Sequence, residues 1–259
     1  MSISITALTY SYGLGFGNAL DKLSFTADDA EVTAILGPNG AGKTTLFRCI
    51  LGLNGSYGGK IDIDGKSAAS LSAKELAGLC AYIPQSYRGV FDYTVEEMTL
   101  MGTTGSVQPL SSPKANELKA ARMALERCGI AHLGQRSFMR LSGGERQLVL
   151  IARAIAQRSR TLIMDEPTAN LDFGNQTMVM ELCRSLAREG YAILLSTHNP
   201  MHALWYANKA VAIKNGSAIA CGSPDEVMDE QLIRALYSVE ASIVQTEKGT
   251  AIFPGRDNV

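Results

Sequence analysis

The pattern of apolar and polar positions divides the chain into three parts, and the first of them predicts strands. Residues 3–6 alternate apolar and polar side chains and residues 20–26 carry a second strand-like pattern, so we expect an antiparallel pair near the N-terminus. Residues 32–36 form a continuous apolar run, which is typical of a buried strand. A glycine-rich turn and a helical pattern over residues 42–51 follow that run.

The rest of the chain passes through a helical part and then returns to strands alternating with helices. Strands are predicted at residues 60–64 and 79–84, on either side of a helix that opens with the capping-box pair Ser72 and Glu75. The helical part, from about residue 94 to residue 157, contains a second capping box at Thr94 and Glu97, a helix near residues 114–128 and a helix that begins at Ser142. The elements predicted after it are a buried run at 162–164, a helix at 175–188, a run at 192–195 and a strand at 210–214.

This order predicts an α/β fold with one parallel-sheet core, an N-terminal antiparallel β subdomain and an inserted helical subdomain. We expect a single domain over residues 1–259, with the core at about 1–86 and 158–259 and the helical subdomain at about 87–157.

Composition narrows the class of protein. The chain has 259 residues, of which 46% are hydrophobic and 19% charged, and its net charge is −1, so no basic excess indicates a nucleic-acid partner. The five cysteines form no C-x-x-C pair, which favours reduced thiols over a zinc or redox site. No apolar run approaches the roughly 20 residues that cross a bilayer, and no secretory signal opens the chain. We therefore expect a cytoplasmic protein.

A phosphate-binding motif lies between the predicted strand and helix of the first part. The motif G-x-x-x-x-G-K-[ST] is matched by Gly37, Pro38, Asn39, Gly40, Ala41, Gly42, Lys43 and Thr44, with Thr45 following. Glycines let backbone N–H groups close around a polyphosphate, and the helix N-terminus adds partial positive charge. The motif predicts ATP binding, with Lys43 on the β- and γ-phosphates and Thr44 on Mg²⁺.

Two adjacent carboxylates end the buried run of the third part. Asp165 and Glu166 follow residues 161–164 directly, and like charges at the end of a core strand are costly without a partner. A metal ion and a water molecule account for both groups. Asp165 is expected to hold Mg²⁺ through water, and Glu166 to act either as the general base or as the positioner for the attacking water.

Residues 141–147, Leu-Ser-Gly-Gly-Glu-Arg-Gln, resemble the signature sequence of ATP-binding-cassette (ABC) proteins. Ser142 is placed to cap a helix, and Gly143 and Gly144 permit close backbone approach, so the turn predicts a second anion site. The alternative is a well-capped helix, because Ser142 and Glu145 have capping-box spacing. That alternative leaves both glycines unexplained.

The resemblance extends over about residues 3–245 and implies roles for further residues. Gln85 is similar to the glutamine that contacts Mg²⁺ or water, and His198 to the histidine that contacts the γ-phosphate. Residues 169–172 resemble the loop that crosses the dimer interface of the family. Tyr12 is placed like the aromatic residue that stacks on adenine, and Tyr10 is a rival two residues away.

Two positions depart from the commoner family pattern. Glu145 stands where Gln is commoner, and Asn199 stands where Asp is commoner, with a helix cap as its expected role. A transition-metal site at His198 and His202, four residues apart, is a further alternative, although no third ligand is evident.

The family resemblance implies a mechanism and partners. Two copies would stack head to tail, with each ATP between residues 37–45 of one chain and residues 142–145 of the other. Residues 171–176, Leu-Asp-Phe-Gly-Asn-Gln, resemble ATPase subunits of importers for iron-siderophores, haem, cobalamin and molybdate. Such a subunit lies on the inner face of the membrane and docks separate permease subunits near Gln85 and residues 86–97, with an extracytoplasmic binding protein as an indirect partner. The alternative is a non-transport ABC ATPase acting in assembly, repair or translation.

Overall fold

The structure is a computed structural model that describes residues 2–13, 15, 17–87, 91–106, 113–247 and 249–255. Its strands are β1 (Ile3–Tyr10), β2 (Leu20–Ala27), β3 (Val32–Leu36), β4 (Gly58–Ile63), β5 (Lys66–Ser67), β6 (Cys80–Ile83), β7 (Thr161–Met164), β8 (Ala192–Thr197), β9 (Lys209–Lys214), β10 (Ser217–Gly222), β11 (Ala241–Thr246) and β12 (Gly249–Pro254). Its α-helices are α1 (Lys43–Ile50), α2 (Ala73–Leu79), α3 (Val95–Leu100), α4 (Ala115–Arg127), α5 (Gly143–Ala156), α6 (Phe173–Arg188), α7 (Pro200–Tyr206), α8 (Pro224–Val227) and α9 (Glu230–Tyr237).

The N-terminal strands form a four-stranded antiparallel sheet in the order β2-β1-β4-β5. Ile3 pairs with Ala27 and Ile5 with Phe25, so the apolar positions of β1 and β2 share one face. This face is buried against α1, where Phe47 is fully buried in the same cluster. The predicted antiparallel pair is thereby confirmed.

The second sheet has six strands in the order β10-β9-β3-β8-β7-β6. All neighbouring strands run parallel except β9 and β10, which are antiparallel. Every residue of β3 and β8 is buried, because the sheet is covered on both faces. Ile35 points into the cluster shared with α1, whereas Leu36 points into the cluster that contains α5. The predicted parallel-sheet core is confirmed.

Helices α3, α4 and α5 follow β6 and precede β7, and they pack mainly against one another. All three capping boxes expected here and in α2 are present, at Ser72, Thr94 and Ser142. The boundaries of the helical subdomain at residues 87 and 157 stay a prediction, and residues 88–90 and 107–112 lie outside the described residues. Of the helices in the described part of the chain, none combines the length and the apolar composition that a membrane span requires.

The structure adds the short strand β5 and differs from the sequence prediction at two further places. Helix α6 begins at Phe173 and not at residue 175, because Asp172 is its N-cap and accepts a hydrogen bond from the Asn175 N–H. Residues beyond 214 add β10, α8, α9 and a separate hairpin of β11 and β12, none of which the apolar pattern predicted.

Candidate active site

A cavity of about 420 Å³ lies at the carboxyl ends of β3 and β7, the edge of a parallel sheet where ligands commonly bind. Its lining brings together most residues that the sequence assigned to nucleotide binding. They are Tyr12, Asn39, Gly40, Gly42, Lys43, Thr44, Thr45, Gln85 and Glu166, with Ala19 in addition.

The phosphate loop is held open around Lys43. At Gly37 a Cβ atom would lie 2.3 Å from the Ile213 carbonyl oxygen, and Gly42 has a φ of +107°, so both positions require glycine. The buried Lys43 ammonium donates to the carbonyl oxygens of Gly37 and Pro38 at 2.7 and 3.0 Å. It also pairs with Glu166 Oε1 at 3.2 Å. The loop therefore carries a buried positive charge at its centre.

Asp165 is a buried carboxylate surrounded by hydroxyl groups. Thr44 Oγ1 donates to its Oδ2 and Ser196 Oγ to its Oδ1, both at 2.7 Å, and the Tyr82 hydroxyl lies 3.5 Å from Oδ2. Burial, and then the charge of Asp165, raise the pKa of Tyr82 to about 12. The adjacent oxygens of Thr44 and Asp165 are the hard ligands that Mg²⁺ prefers, so these residues fit that ion.

Glu166 is held by groups from three segments of the chain. Its Oε1 faces Lys43, and its Oε2 accepts a hydrogen bond from Gln85 Nε2 at 3.1 Å and lies 3.4 Å from His198 Nδ1. Its backbone N–H donates to Ser196 Oγ at 2.8 Å. Its φ is +46°, a conformation that costs energy for a non-glycine residue and is often found at functional sites. The carboxylate is thus fixed and still borders the cavity.

The structure distinguishes the two tyrosines that the sequence left open. Tyr12 lines the cavity with its ring 53% exposed, and its hydroxyl lies 3.0 Å from Thr45 Oγ1. Tyr10 packs against the core and meets the Tyr12 ring edge-on at 5.1 Å between centroids. Of this pair, only Tyr12 is among the residues lining the cavity, and its stacking on adenine stays a prediction.

The two histidines of the third part face different partners, and the metal alternative finds no support. His198 points to Glu166, whereas the buried His202 has its Nδ1 3.4 Å from Thr168 Oγ1 and 3.3 Å from Thr197 Oγ1. Burial lowers the pKa of His202, followed by the effect of His198. Among the residues that the structure describes, no three metal-ligating side chains cluster together. Asn199 is the N-cap of α7, as predicted.

The signature turn lies away from the cavity. Ser142 Oγ accepts from the Glu145 N–H at 3.3 Å, and Glu145 Oε2 accepts from the Ser142 N–H at 2.7 Å. Hydrogen bonding of the carboxylate to the Ser142 backbone, and then to its side chain, lowers the pKa of Glu145. None of residues 142–145 is among the residues lining the cavity. The structure explains why one of the two glycines is needed: a Cβ atom at Gly144 would lie 2.2 Å from Asn175 Oδ1. At Gly143 the nearest atom would be Leu171 Cδ2 at 3.5 Å, an ordinary contact.

Sequence reasoning missed three residues that support the site. Ser196 joins Asp165 to the backbone of Glu166, and Tyr82 reaches Asp165 from β6. The Tyr237 hydroxyl on α9 donates to the His198 carbonyl oxygen at 2.9 Å. The position of Ser196 near the carboxyl end of a core strand was the one available signal.

Comparison with known proteins agrees with this geometry. The chain is 39% identical over 238 residues to an ABC transporter ATP-binding protein of Haemophilus influenzae, a match that covers 91% of this chain and 90% of the relative. It is 33% identical to the hemin import ATP-binding protein HmuV of Rhodococcus jostii, over 92% of this chain and 82% of that protein. A chain of a metal-chelate type ABC transporter in an inward-facing conformation superposes with a TM-score of 0.86 at 28% identity, over 98% of this chain and 97% of that one.

The family assignment rests on more than half of the chain. The sequence model of the family described as ABC transporter matches residues 20–169, which include the phosphate loop, the signature turn and Glu166. The chain therefore belongs to the ABC transporter family and is one of its ATP-binding, ATP-hydrolysing subunits.

Proposed function

We propose that this subunit drives the import of a metal chelate, as an ATP-closed head-to-tail dimer on the cytoplasmic face of a membrane permease. The observation that carries the dimer is the separation of the two anion sites, because the cavity contains the phosphate loop while residues 142–145 lie elsewhere. The class of cargo is supported by the relative named for hemin import and the structure of a metal-chelate type transporter.

ATP would enter the cavity with its adenine ring against Tyr12 and its phosphates in the loop of residues 37–45. Lys43 lies between two loop carbonyls and Glu166, so it can turn to the β- and γ-phosphates within the same small volume. That move frees the Glu166 carboxylate from its cation. Mg²⁺, held by Thr44, Asp165 and Gln85, would offset the negative charge of the phosphates when bound.

Hydrolysis needs a base and a charge partner at the γ-phosphate. Glu166 would accept a proton from the attacking water while the water oxygen bonds to the γ-phosphorus. The bond between the γ-phosphorus and the β,γ-bridging oxygen breaks at the same time, which gives ADP and inorganic phosphate. His198, 3.4 Å from Glu166, would contact the γ-phosphate and hold the carboxylate in place. Gln85 would couple hydrolysis to the helical subdomain that follows it in the chain, because its amide donates a hydrogen bond to Glu166.

The partner copy would complete each site with its signature turn. The first turn of α5 has N–H groups without acceptors inside the helix, and Gly143, where a Cβ atom would meet only an ordinary contact, leaves room for a phosphate to approach. The pair is isologous, so one contact made twice closes both sites. Loss of the γ-phosphate removes the shared anion and lets the pair open.

Permease subunits would dock on the helical side of the chain near Gln85. The structure describes Tyr87 and residues 91–97 of the expected docking segment, while residues 88–90 lie outside the described residues. An extracytoplasmic binding protein would be an indirect partner through the permease. The permease and the binding protein would then select the transported molecule.

The first test is purification of the tagged chain from gently solubilised native membranes, with partners identified by mass spectrometry. The proposal predicts a polytopic permease and an extracytoplasmic binding protein that binds a metal chelate. Lys43→Ala is the matched control, because it should recover the same partners without supporting uptake of the chelate. Reproducible recovery of soluble partners alone, with ATPase activity intact, would favour the non-transport alternative.

A further inference from the structure

Residues 171–176 comprise the last two residues of the loop 169–172 and the first turn of α6. The proposed chemistry uses none of their side chains. This segment is also the most particular part of the resemblance to metal-chelate importers. Its contacts lead to the signature turn.

Asn175 and Gln176 fasten the end of the loop to the first turn of α6. Asp172 Oδ1 accepts the Asn175 N–H at 2.9 Å, and Asp172 Oδ2 accepts Asn175 Nδ2 at 2.7 Å. These two hydrogen bonds lower the pKa of Asp172. Gln176 Nε2 donates to the Leu171 carbonyl oxygen at 2.9 Å. Both the side chain and the backbone at the loop end are therefore held from α6.

The side chain of Asn175 also packs against the backbone of the signature turn. A Cβ atom at Gly144 would lie 2.2 Å from Asn175 Oδ1 and 2.4 Å from Asn175 Cγ, and a Cβ atom at Gly143 would lie 3.5 Å from Leu171 Cδ2. The backbone of α5 thus approaches the Asn175 amide without an intervening side chain. The signature turn and the loop 169–172 share one support.

The chemistry of the amide suits this place. Asn175 Nδ2 donates to a carboxylate while its Oδ1 faces the backbone of α5. A carboxylate at position 175 would repel Asp172, and a longer side chain would meet Gly144. A small neutral donor and acceptor is what the contact requires.

We propose that Asn175 is a positioning residue, which fixes the signature turn relative to the loop 169–172 so that both reach the partner's nucleotide as one unit. The inference rests on the proposed ATP-closed dimer. It assigns Asn175 no contact with ATP, so its loss changes dimer closure and turnover and leaves ATP binding by the single chain unchanged.

The first experiment measures the ATP concentration that half-converts Glu166→Gln chains to dimers, by size-exclusion chromatography with light scattering. Adding Asn175→Ala should raise that concentration about tenfold, the effect of losing roughly one hydrogen bond's contribution. Binding of a fluorescent ATP analogue to the dilute, monomeric chain should stay within error, and the melting temperature should fall no further than in Thr177→Ala, which also loses one hydrogen bond within the chain. Thr177→Ala is the matched control, because its hydroxyl donates only to Phe173 of its own helix.

The second experiment is steric rescue, read in ATP turnover. Gly144→Ala should lose most turnover, since the added methyl group meets the Asn175 amide, and Gly144→Ala combined with Asn175→Ala should recover turnover to the level of Asn175→Ala alone. No recovery in the double variant would overturn the inference. So would an Asn175→Ala midpoint equal to that of Thr177→Ala, or a parallel loss of analogue binding and melting temperature.

Failure of the inference and failure of the proposed function look different. If Glu166→Gln with Asn175 intact stays monomeric at saturating ATP, the proposed dimer is wrong. If that chain dimerises and Asn175→Ala does so at the same ATP concentration, the dimer stands and the role of Asn175 is contradicted.

Discussion

The phosphate loop and the signature turn are both anion sites at helix N-termini, yet their surroundings differ. Around the loop, Lys43, Asp165 and Glu166 are buried or nearly so, and each has a partner of opposite charge or a hydroxyl donor within the chain. The signature turn, residues 142–145, lies outside the cavity, and its one charged side chain, Glu145, accepts a hydrogen bond from the Ser142 N–H. One site is therefore assembled within the chain, whereas the other lies outside the cavity and, in the proposed dimer, would be completed by a second copy.

Lys43→Ala should break the first site with the largest effect. It removes the only buried cation among the residues lining the cavity, and electrostatic contacts of this kind are worth several kcal/mol in the transition state. We expect turnover to fall at least about 100-fold and ATP affinity to fall with it. Steady-state ATPase assays and analogue binding check this, with the surface variant Lys60→Ala as control. Turnover equal to that of the wild type would refute the phosphate role.

Ser142→Ala sharpens the comparison, because the chain contains a matched capping box. Ser72 Oγ accepts from the Glu75 N–H at 3.3 Å, the same distance as at Ser142 and Glu145. Each substitution should cost about 1 kcal/mol of unfolding free energy. Only Ser142→Ala should also lower turnover, by about tenfold, since only that turn would meet nucleotide.

The two serine variants are compared by denaturant unfolding and by ATPase assay. Equal turnover in both would mean that the signature turn is no more than a well-capped helix, the alternative that the sequence left open.

Ser196→Ala tests the hydrogen bonds by which Ser196 holds Asp165 and Glu166. Without the hydroxyl, Asp165 loses a donor and the Glu166 N–H loses its acceptor, and a buried group left unsatisfied costs about 1–3 kcal/mol. We expect turnover to fall about tenfold and the melting temperature to drop. The exposed variant Ser185→Ala should change neither. An unchanged rate in Ser196→Ala would show that Glu166 needs no such support.

The smallest expected effect is on stability as a function of pH. His202 is buried and its pKa is lowered, so the folded chain keeps the imidazole neutral, while the unfolded chain titrates near 6.5. Its contribution is complete above about pH 6.5 and is lost as the pH falls towards the folded pKa. His202→Asn should flatten the unfolding free energy between pH 7.5 and pH 5.5, by about 1 kcal/mol or less. Parallel curves for the two proteins would contradict this account.

Local motifs predicted the order of the elements around the phosphate loop, because their residues are contiguous. The order of β3, residues 37–45 and α1 follows from an apolar run, glycines and a helical pattern that lie next to one another. Short-range signals also explain two misses. Asp172 is a good N-cap residue, and Asn215-Gly216, with φ values of +50° and +82°, is a hairpin signal that announces β10.

Contacts between distant segments could not be predicted. The meeting of Ser196 with Asp165 depends on the parallel register of β7 and β8. Tyr237 reaches His198, and Asn175 meets Gly144, only through the packing of helices that are far apart in sequence. The sequence motifs indicate which residues belong to the site. The residues that hold them in place are identified only once the fold is known.

The most direct test of the central claim is the mass of Glu166→Gln in solution with saturating ATP, measured by light scattering. The account predicts a dimer, because ATP that is bound and not hydrolysed keeps the loop of one chain on the signature turn of the other. The same variant without nucleotide, and Glu166→Gln combined with Ser142→Ala, should be shifted towards monomer. A Glu166→Gln chain that binds ATP and remains monomeric would contradict the claim that two chains form each site.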